Sequence, residues 1–130
     1  MEIQIDFRSG QPIYLQILEQ IQLMIAKGEI KPGDQLPTVR QLAADLRVNF
    51  NTVARAYHLL DEAGLISTQH GRGTYVWEQP SKEIIARLRN QNLHEHIQQF
   101  VLDLGRLGFS LYEIEEEFKK YVSFEKARLK

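Results

Sequence analysis

Residues 70–73 read "HGRG", a stretch in which two glycines bracket a single arginine, Arg72. Glycine has no Cβ and adopts positive φ readily, so the backbone at Gly71 and Gly73 could approach a phosphate or a base pair closely. The guanidinium of Arg72 could then pair with a phosphate or enter a minor groove. The alternative is an ordinary hairpin turn whose arginine is solvated.

A second group of polar side chains lies in the segment "NFNTVARAYHLLDEAG", which begins at Asn49. Helical spacing places Asn51, Thr52 and Arg55 on the outward side of this segment. Hydrogen-bonding side chains at the exposed start of a helix are what contact with base edges in a major groove requires. The alternative is a three-helix bundle with a solvated polar face. The inward residues predicted by the same spacing are Val53, Ala56, Tyr57 and Leu60.

Other kinds of chemistry find little support in the sequence. His94 and His96 are two residues apart, so on a helix they point to different faces and cannot easily chelate a metal. The chain has no cysteine, which excludes disulfides and thiolate metal sites. It shows no nucleophile–base–orienter set and no phosphate-cradling loop followed by Lys-Ser or Lys-Thr. We therefore expect neither an enzyme nor a metal or cofactor site.

Composition and charge limit how such a chain could bind nucleic acid. The chain has 130 residues and a net charge of −1, which argues against a generic polyanion binder. Residues 1–78 hold seven Lys/Arg and nine Asp/Glu, so any nucleic-acid contact must come from a local patch. No stretch approaches the roughly 20 apolar residues of a membrane span, and no signal peptide opens the chain. We expect a cytoplasmic protein that does not enter a membrane.

Three helices and a hairpin must position the polar groups. A first helix covers 11–28, a capping box at Thr38 and Gln41 begins a short second helix, and Asn49 can cap a third helix that Gly64 ends. The runs "LISTQ" and "TYVW" flank the glycines and predict a β-hairpin. A helix-turn-helix followed by a hairpin has the layout of a winged helix, in which the hairpin is the wing.

Two further helices, predicted at 82–107 and from Ser110 to about residue 127, form a C-terminal tail after a linker at 78–81. The fold class is thus mainly α with a small β-hairpin: a winged helix-turn-helix domain at 1–77 and a helical tail at 78–130. The tail is too thin to bury both faces of its helices alone, which favours dimerisation; the alternative is an intramolecular helical cap. The candidate dimerisation residues are Leu88, Leu93, Ile97, Phe100, Val101, Leu104 and Phe118.

The chain resembles the GntR family of bacterial transcription regulators over roughly residues 8–77, and its short tail resembles the YtrA subfamily. The resemblance is carried by "PGDQLPTVRQLA", "VNFNTVARAY" and "GRGTYV", in the order and spacing of the family. Phe50 departs from the pattern, because YtrA-like sequences often have proline or a small polar residue there. An aromatic ring at this position could stack on a sugar or thymine methyl, or pack under the wing.

The resemblance implies that Arg40 contacts guanine and that Thr38 touches phosphate. It also implies that the third helix contacts the operator and that the wing enters the minor groove. The candidate DNA-binding residues are Thr38, Arg40, Asn49, Phe50, Asn51, Thr52, Arg55, His70, Gly71, Arg72 and Gly73.

The function implied is a homodimeric repressor on an inverted-repeat operator, often of a transporter operon. The alternative, favoured by the near-neutral charge, is a winged-helix adaptor that binds protein and not DNA. A small-molecule effector, if there is one, would bind between subunits or between tail and winged helix, because the tail is too short to enclose a pocket.

Overall fold

The structure, a computed structural model, describes residues 1–69, 71–77 and 82–129. The chain forms two compact units, and the boundary between them follows Arg89. The sequence predicted a boundary after residue 77. The expected linker at 78–81 lies outside the described residues. The helices and strands of the described ranges are, in chain order, α1 (Ile13–Lys27), β1 (Gln35–Leu36), α2 (Val39–Leu46), α3 (Phe50–Glu62), β2 (Ile66–Gln69), β3 (Gly73–Val76), α4 (Lys82–Arg106) and α5 (Leu111–Arg128).

Side-chain caps define the starts of α2 and α3, as the sequence predicts. Thr38 Oγ1 accepts a hydrogen bond from the Gln41 backbone N–H at 3.0 Å, and Gln41 Oε1 accepts one from the Thr38 N–H at 2.9 Å. Asn49 Oδ1 accepts from the Asn51 N–H at 2.7 Å. Since these bonds satisfy backbone donors that a helix start leaves free, they hold both helix starts in place. The predicted capping box is confirmed.

The core of the first unit lies between α1, α2, α3 and the small sheet. The inward residues predicted for α3 are all buried, which confirms the helical register of its polar face. The largest side chains that this core buries fully are Ile17, Ile21, Val53, Leu60, Leu65, Ile66 and Val76.

The predicted hairpin of β2 and β3 is confirmed, and a third strand joins it. β1 pairs antiparallel with β3, giving the order β1-β3-β2, with Gln35 opposite Tyr75 and Leu36 opposite Thr74. β1 could not be predicted from the sequence, because two residues are too few to show an alternating pattern and Pro37 follows directly. β1 leads into Thr38, so the sheet is continuous with the start of α2.

The hydroxyl of Tyr57 joins α3 to the residue before the cap of α2. It donates a hydrogen bond of 2.7 Å to the Pro37 carbonyl oxygen, and the side chain is buried. Burial raises the pKa of the Tyr57 hydroxyl above its ordinary value of 10.0, because the anion would lose its hydration. The contact therefore needs the protonated hydroxyl and fixes the two helices relative to each other.

Burial of the Tyr57 hydroxyl makes the free energy of unfolding depend on pH in the alkaline range. Below about pH 10 the folded and unfolded chains both keep the Tyr57 proton, and the stabilisation is fully present. Above that pH the unfolded chain loses the proton while the folded chain keeps it, so the free energy of unfolding falls as pH rises. Urea unfolding from pH 8 to 11 should show a steeper alkaline decline for the wild type than for Tyr57→Phe. An equal loss of stability in both proteins would show that Tyr57 is not the group responsible.

The second unit contains the C-terminal part of α4 and all of α5. Ser110 Oγ accepts a hydrogen bond of 3.1 Å from the Glu113 N–H and caps α5, as predicted. Within this unit the Phe100 and Phe118 rings meet with their centroids 6.1 Å apart. Beside these rings an open groove of about 790 Å³ is lined mainly by apolar side chains of both helices. The described helices include none that is both long and apolar enough to cross a membrane.

Candidate nucleic-acid interface

The outward face of α3 begins at its capped end and presents polar groups. Asn51 and Arg55 are exposed, and Thr52 is half-buried beside them. The Asn49 side chain is engaged in the cap, so its role is at least partly structural. At the other end of the same face, His58 Nε2 and Glu62 Oε1 are 3.0 Å apart. The cationic part of this face therefore lies toward the start of the helix.

Arg40, on α2, lies next to the first residue of α3. Its guanidinium carbon is 6.0 Å from the centroid of the Phe50 ring, within the range of a cation–π contact. The Phe50 side chain is 48% exposed, so Arg40 contacts this ring at the protein surface. Thr38, whose side chain forms the capping box, is two residues before Arg40. The structure thus brings three of the sequence-predicted site residues to adjoining helix starts.

Arg55 makes a closer aromatic contact, with Tyr14 of α1. Its guanidinium carbon lies 3.8 Å from the centroid of the Tyr14 ring. The ring also packs against the core of the first unit. This contact could not be predicted, because one sequence does not show which residues meet between helices.

The three candidate arginines have no anionic partner in the part of the chain that the structure describes. In the described ranges no carboxylate forms an ion pair with Arg40, Arg55 or Arg72. An exposed guanidinium without an anionic neighbour attracts phosphate, and its planar N–H donors suit phosphate and guanine. Local positive charges of this kind are what a chain with a net charge of −1 needs in order to bind nucleic acid.

The tip of the hairpin has a backbone that favours glycine. Gly71 has φ +75° with open space around it, and Gly73 has φ +106°. A Cβ on Gly73 would come within 2.6 Å of Gln35 Nε2. The amide end of Gln35 is flexible, so the backbone conformation is the stronger constraint. His70, the remaining predicted residue of the tip, lies outside the described residues.

Hydrogen bonds hold the exposed Arg72 at the tip. Its backbone N–H donates to the Gln69 carbonyl oxygen at 3.0 Å. The Tyr75 hydroxyl donates to the Arg72 carbonyl oxygen at 2.6 Å. The backbone at Arg72 is thus tied on both sides while its side chain remains available.

The candidate dimerisation residues fall in two places. Leu88 packs against the core of the first unit, so we leave it out of the dimer surface proposed below. In the second unit Val101 and Leu104 are half-buried, and the exposed members of the set are Leu93, Ile97, Phe100 and Phe118.

Comparison with known proteins agrees with this geometry. The family model described as "Bacterial regulatory proteins, gntR family" matches residues 13–76. The chain is 41% identical over 118 residues to the HTH-type transcriptional repressor YtrA of Bacillus subtilis (strain 168), covering 91% of this chain and 90% of that protein. A solved structure of YtrA from Sulfolobus acidocaldarius, a GntR-family transcription factor, is 37% identical, covers 93% of this chain and 97% of that chain, and superposes with a TM-score of 0.56.

A second solved structure contains DNA. The DNA-binding domain of AraR in complex with an operator is 29% identical, covers 58% of this chain and 95% of that chain, and superposes with a TM-score of 0.52. The capped helix-turn-helix, its wing and these relatives lead to one conclusion: the chain belongs to the gntR family of bacterial regulatory proteins, resembles its YtrA-type members, and is a DNA-binding transcriptional regulator.

Proposed function

We propose that this regulator is a cytoplasmic homodimeric repressor that binds an inverted-repeat operator. In this proposal α3 enters the major groove of each half-site and the wing contacts the adjacent minor groove or phosphates. The proposal rests on two exposed arginines, Arg40 near the start of α2 and Arg55 in the second turn of α3, which form no ion pair with a carboxylate of the described residues. The operon it represses is proposed to encode a transporter, as the resemblance to YtrA-type regulators implies.

The aromatic contacts of these two arginines suit base recognition. A guanidinium that stacks through its face keeps its N–H donors in the plane, where they can bond to guanine O6 and N7. The helix starts at Thr38 and Asn49 also present backbone N–H groups and the positive end of the helix dipole, which favour phosphate. Phosphate contacts would then set the position of the protein while Arg40 and Arg55 select bases.

The proposed homodimer is supported by how few side chains the second unit buries on its own. Among its described residues only Ile114 is buried, and one buried side chain cannot stabilise a unit of this size. Exposed apolar side chains of this extent mark an interface. In a dimer with two-fold symmetry, the same apolar surface of a second copy would cover these side chains. The exposed large hydrophobic residues of the unit include Leu93, Ile97, Phe100, Phe118, Tyr121 and Phe124.

In vitro selection of DNA sites by the full chain tests this proposal. The expected result is a pair of inverted half-sites whose centres are separated by about one or more helical turns. A single asymmetric site would contradict the homodimer, and enrichment of no sequence would contradict operator binding. Repression is tested separately, by transcription in vitro from a promoter that carries the selected operator.

The wing is expected to add affinity with little base selectivity. Arg72→Ala should weaken operator binding by about 1 kcal/mol, because it removes one phosphate or minor-groove contact. It should leave the selected bases at the centre of each half-site unchanged. Titration against operator variants measures both effects. A changed base preference at the centre of each half-site would contradict the proposed contact of the wing with the minor groove or phosphates.

A further inference from the structure

Tyr14 lies at the start of α1 and holds the guanidinium of Arg55. The guanidinium carbon lies over the ring, 3.8 Å from its centroid, well within the range of a cation–π contact. The ring is half-buried and packs against the core, so it cannot swing freely. The long Arg55 side chain therefore contacts a ring that is itself held by the core.

The start of α1 is itself tied down close to Tyr14. Gln16 is buried, and its Nε2 donates hydrogen bonds to the carbonyl oxygens of Asp6 and Gln11 at 2.9 and 3.0 Å. Its Oε1 accepts one from the Asp6 N–H at 2.8 Å. These bonds fix the first turn of the helix against the preceding segment, and Tyr14 belongs to that turn.

The donors of Arg55 remain available despite this contact. No described residue accepts a hydrogen bond from its guanidinium, and the ring covers only one side of the group. An unrestrained arginine loses much rotamer freedom when it binds. A supported one loses less, and its direction is defined before DNA arrives.

We propose that Tyr14 is a specificity-determining positioning residue, whose ring orients Arg55 for contact with one base pair of the operator. This inference rests on the proposed role of Arg55 in base recognition. The aromatic ring carries the effect. The Tyr14 hydroxyl is dispensable, because the contact with Arg55 is made by the ring face.

The test compares full-length variants on the selected operator and on operator variants at each base pair. Tyr14→Leu removes the ring and keeps an apolar side chain, Tyr14→Phe restores the ring, and Leu15→Ala is a control for lost packing on α1. We expect Tyr14→Leu to lower affinity roughly three- to tenfold and to relax preference at the base pair affected by Arg55→Ala. Tyr14→Phe should recover both properties, and Leu15→Ala should lower the melting temperature without changing base preference.

The double variant separates this inference from the proposed function. In the Arg55→Ala background, Tyr14→Leu should have no further effect on affinity. If it lowers affinity there by the same factor, Tyr14 does not act through Arg55 and the inference is wrong. If Arg55→Ala weakens binding while Tyr14→Leu changes neither affinity nor preference, the inference alone falls. If Arg55→Ala has no effect, both the role of Arg55 and the inference fall.

Discussion

Phe118→Glu should convert the protein from a dimer to a monomer and lower its affinity for the full operator by roughly a hundredfold or more. The Phe118 ring lies on the groove of the second unit, where it meets Phe100. A carboxylate there would be buried against apolar surface in the proposed dimer, at a large desolvation cost. Without the dimer, each winged helix binds its half-site independently, and the gain from linking two contacts is lost.

Three measurements together make this expectation specific. Sedimentation or light scattering gives the mass in solution, and DNA titration is done with the full operator and with a single half-site. Phe118→Glu should lose affinity for the full operator but keep the wild-type affinity for one half-site. Ser123→Glu is the matched control, because it adds the same charge at an exposed position on the opposite side of α5 from Ile114. A Phe118→Glu protein that remains a dimer would contradict the proposed interface.

Arg40→Ala and Arg55→Ala should each weaken binding to the selected operator by about 1–3 kcal/mol and relax preference at one base pair. Each arginine is exposed, lacks an ion-pair partner among the described residues, and rests against an aromatic ring. Loss of a bidentate base contact has a local effect on sequence preference. Because the two arginines lie on different helices, we expect them to affect different base pairs.

Lys27→Ala is the control for lost positive charge. Lys27 is exposed in the last turn of α1, about 20 Å along the helix from Tyr14. It should change the affinity little and leave base preference unchanged. If Arg40→Ala and Arg55→Ala weaken binding equally on all sequences, they contact phosphate and not bases. If neither weakens binding, the assignment of this surface is wrong.

Much of the fold could be predicted because its boundaries depend on local chemistry. Thr38, Gln41 and Asn49 satisfy backbone donors within a few residues of themselves, so their pattern defines the starts of α2 and α3. The buried stripe of α3 follows from helical period alone. β1 could not be predicted in this way, since its two residues form a strand only through pairing with β3.

The candidate site was predictable as a set of residue types and not as a set of contacts. Arg40 and Arg55 were identified from their position and from resemblance, but the rings beneath them belong to other helices. The partner of Arg55 is separated from it by some forty residues, and such pairings depend on tertiary packing. For the same reason the sequence could not show that Leu88, a candidate dimerisation residue, packs against the core of the first unit.

The sheet also determines where this regulator could be divided in protein engineering. Both residues of β1 pair with β3, and the chain passes from β1 through Pro37 into the cap of α2. A graft that exchanged only the hairpin at 65–77 would leave the recipient's own β1 paired with a foreign strand. The smallest transferable piece therefore begins before Gln35 and includes the whole helix-turn-helix. In the proposed division of roles, the affinity supplied by the wing and the selectivity supplied by the helices would then be transferred together.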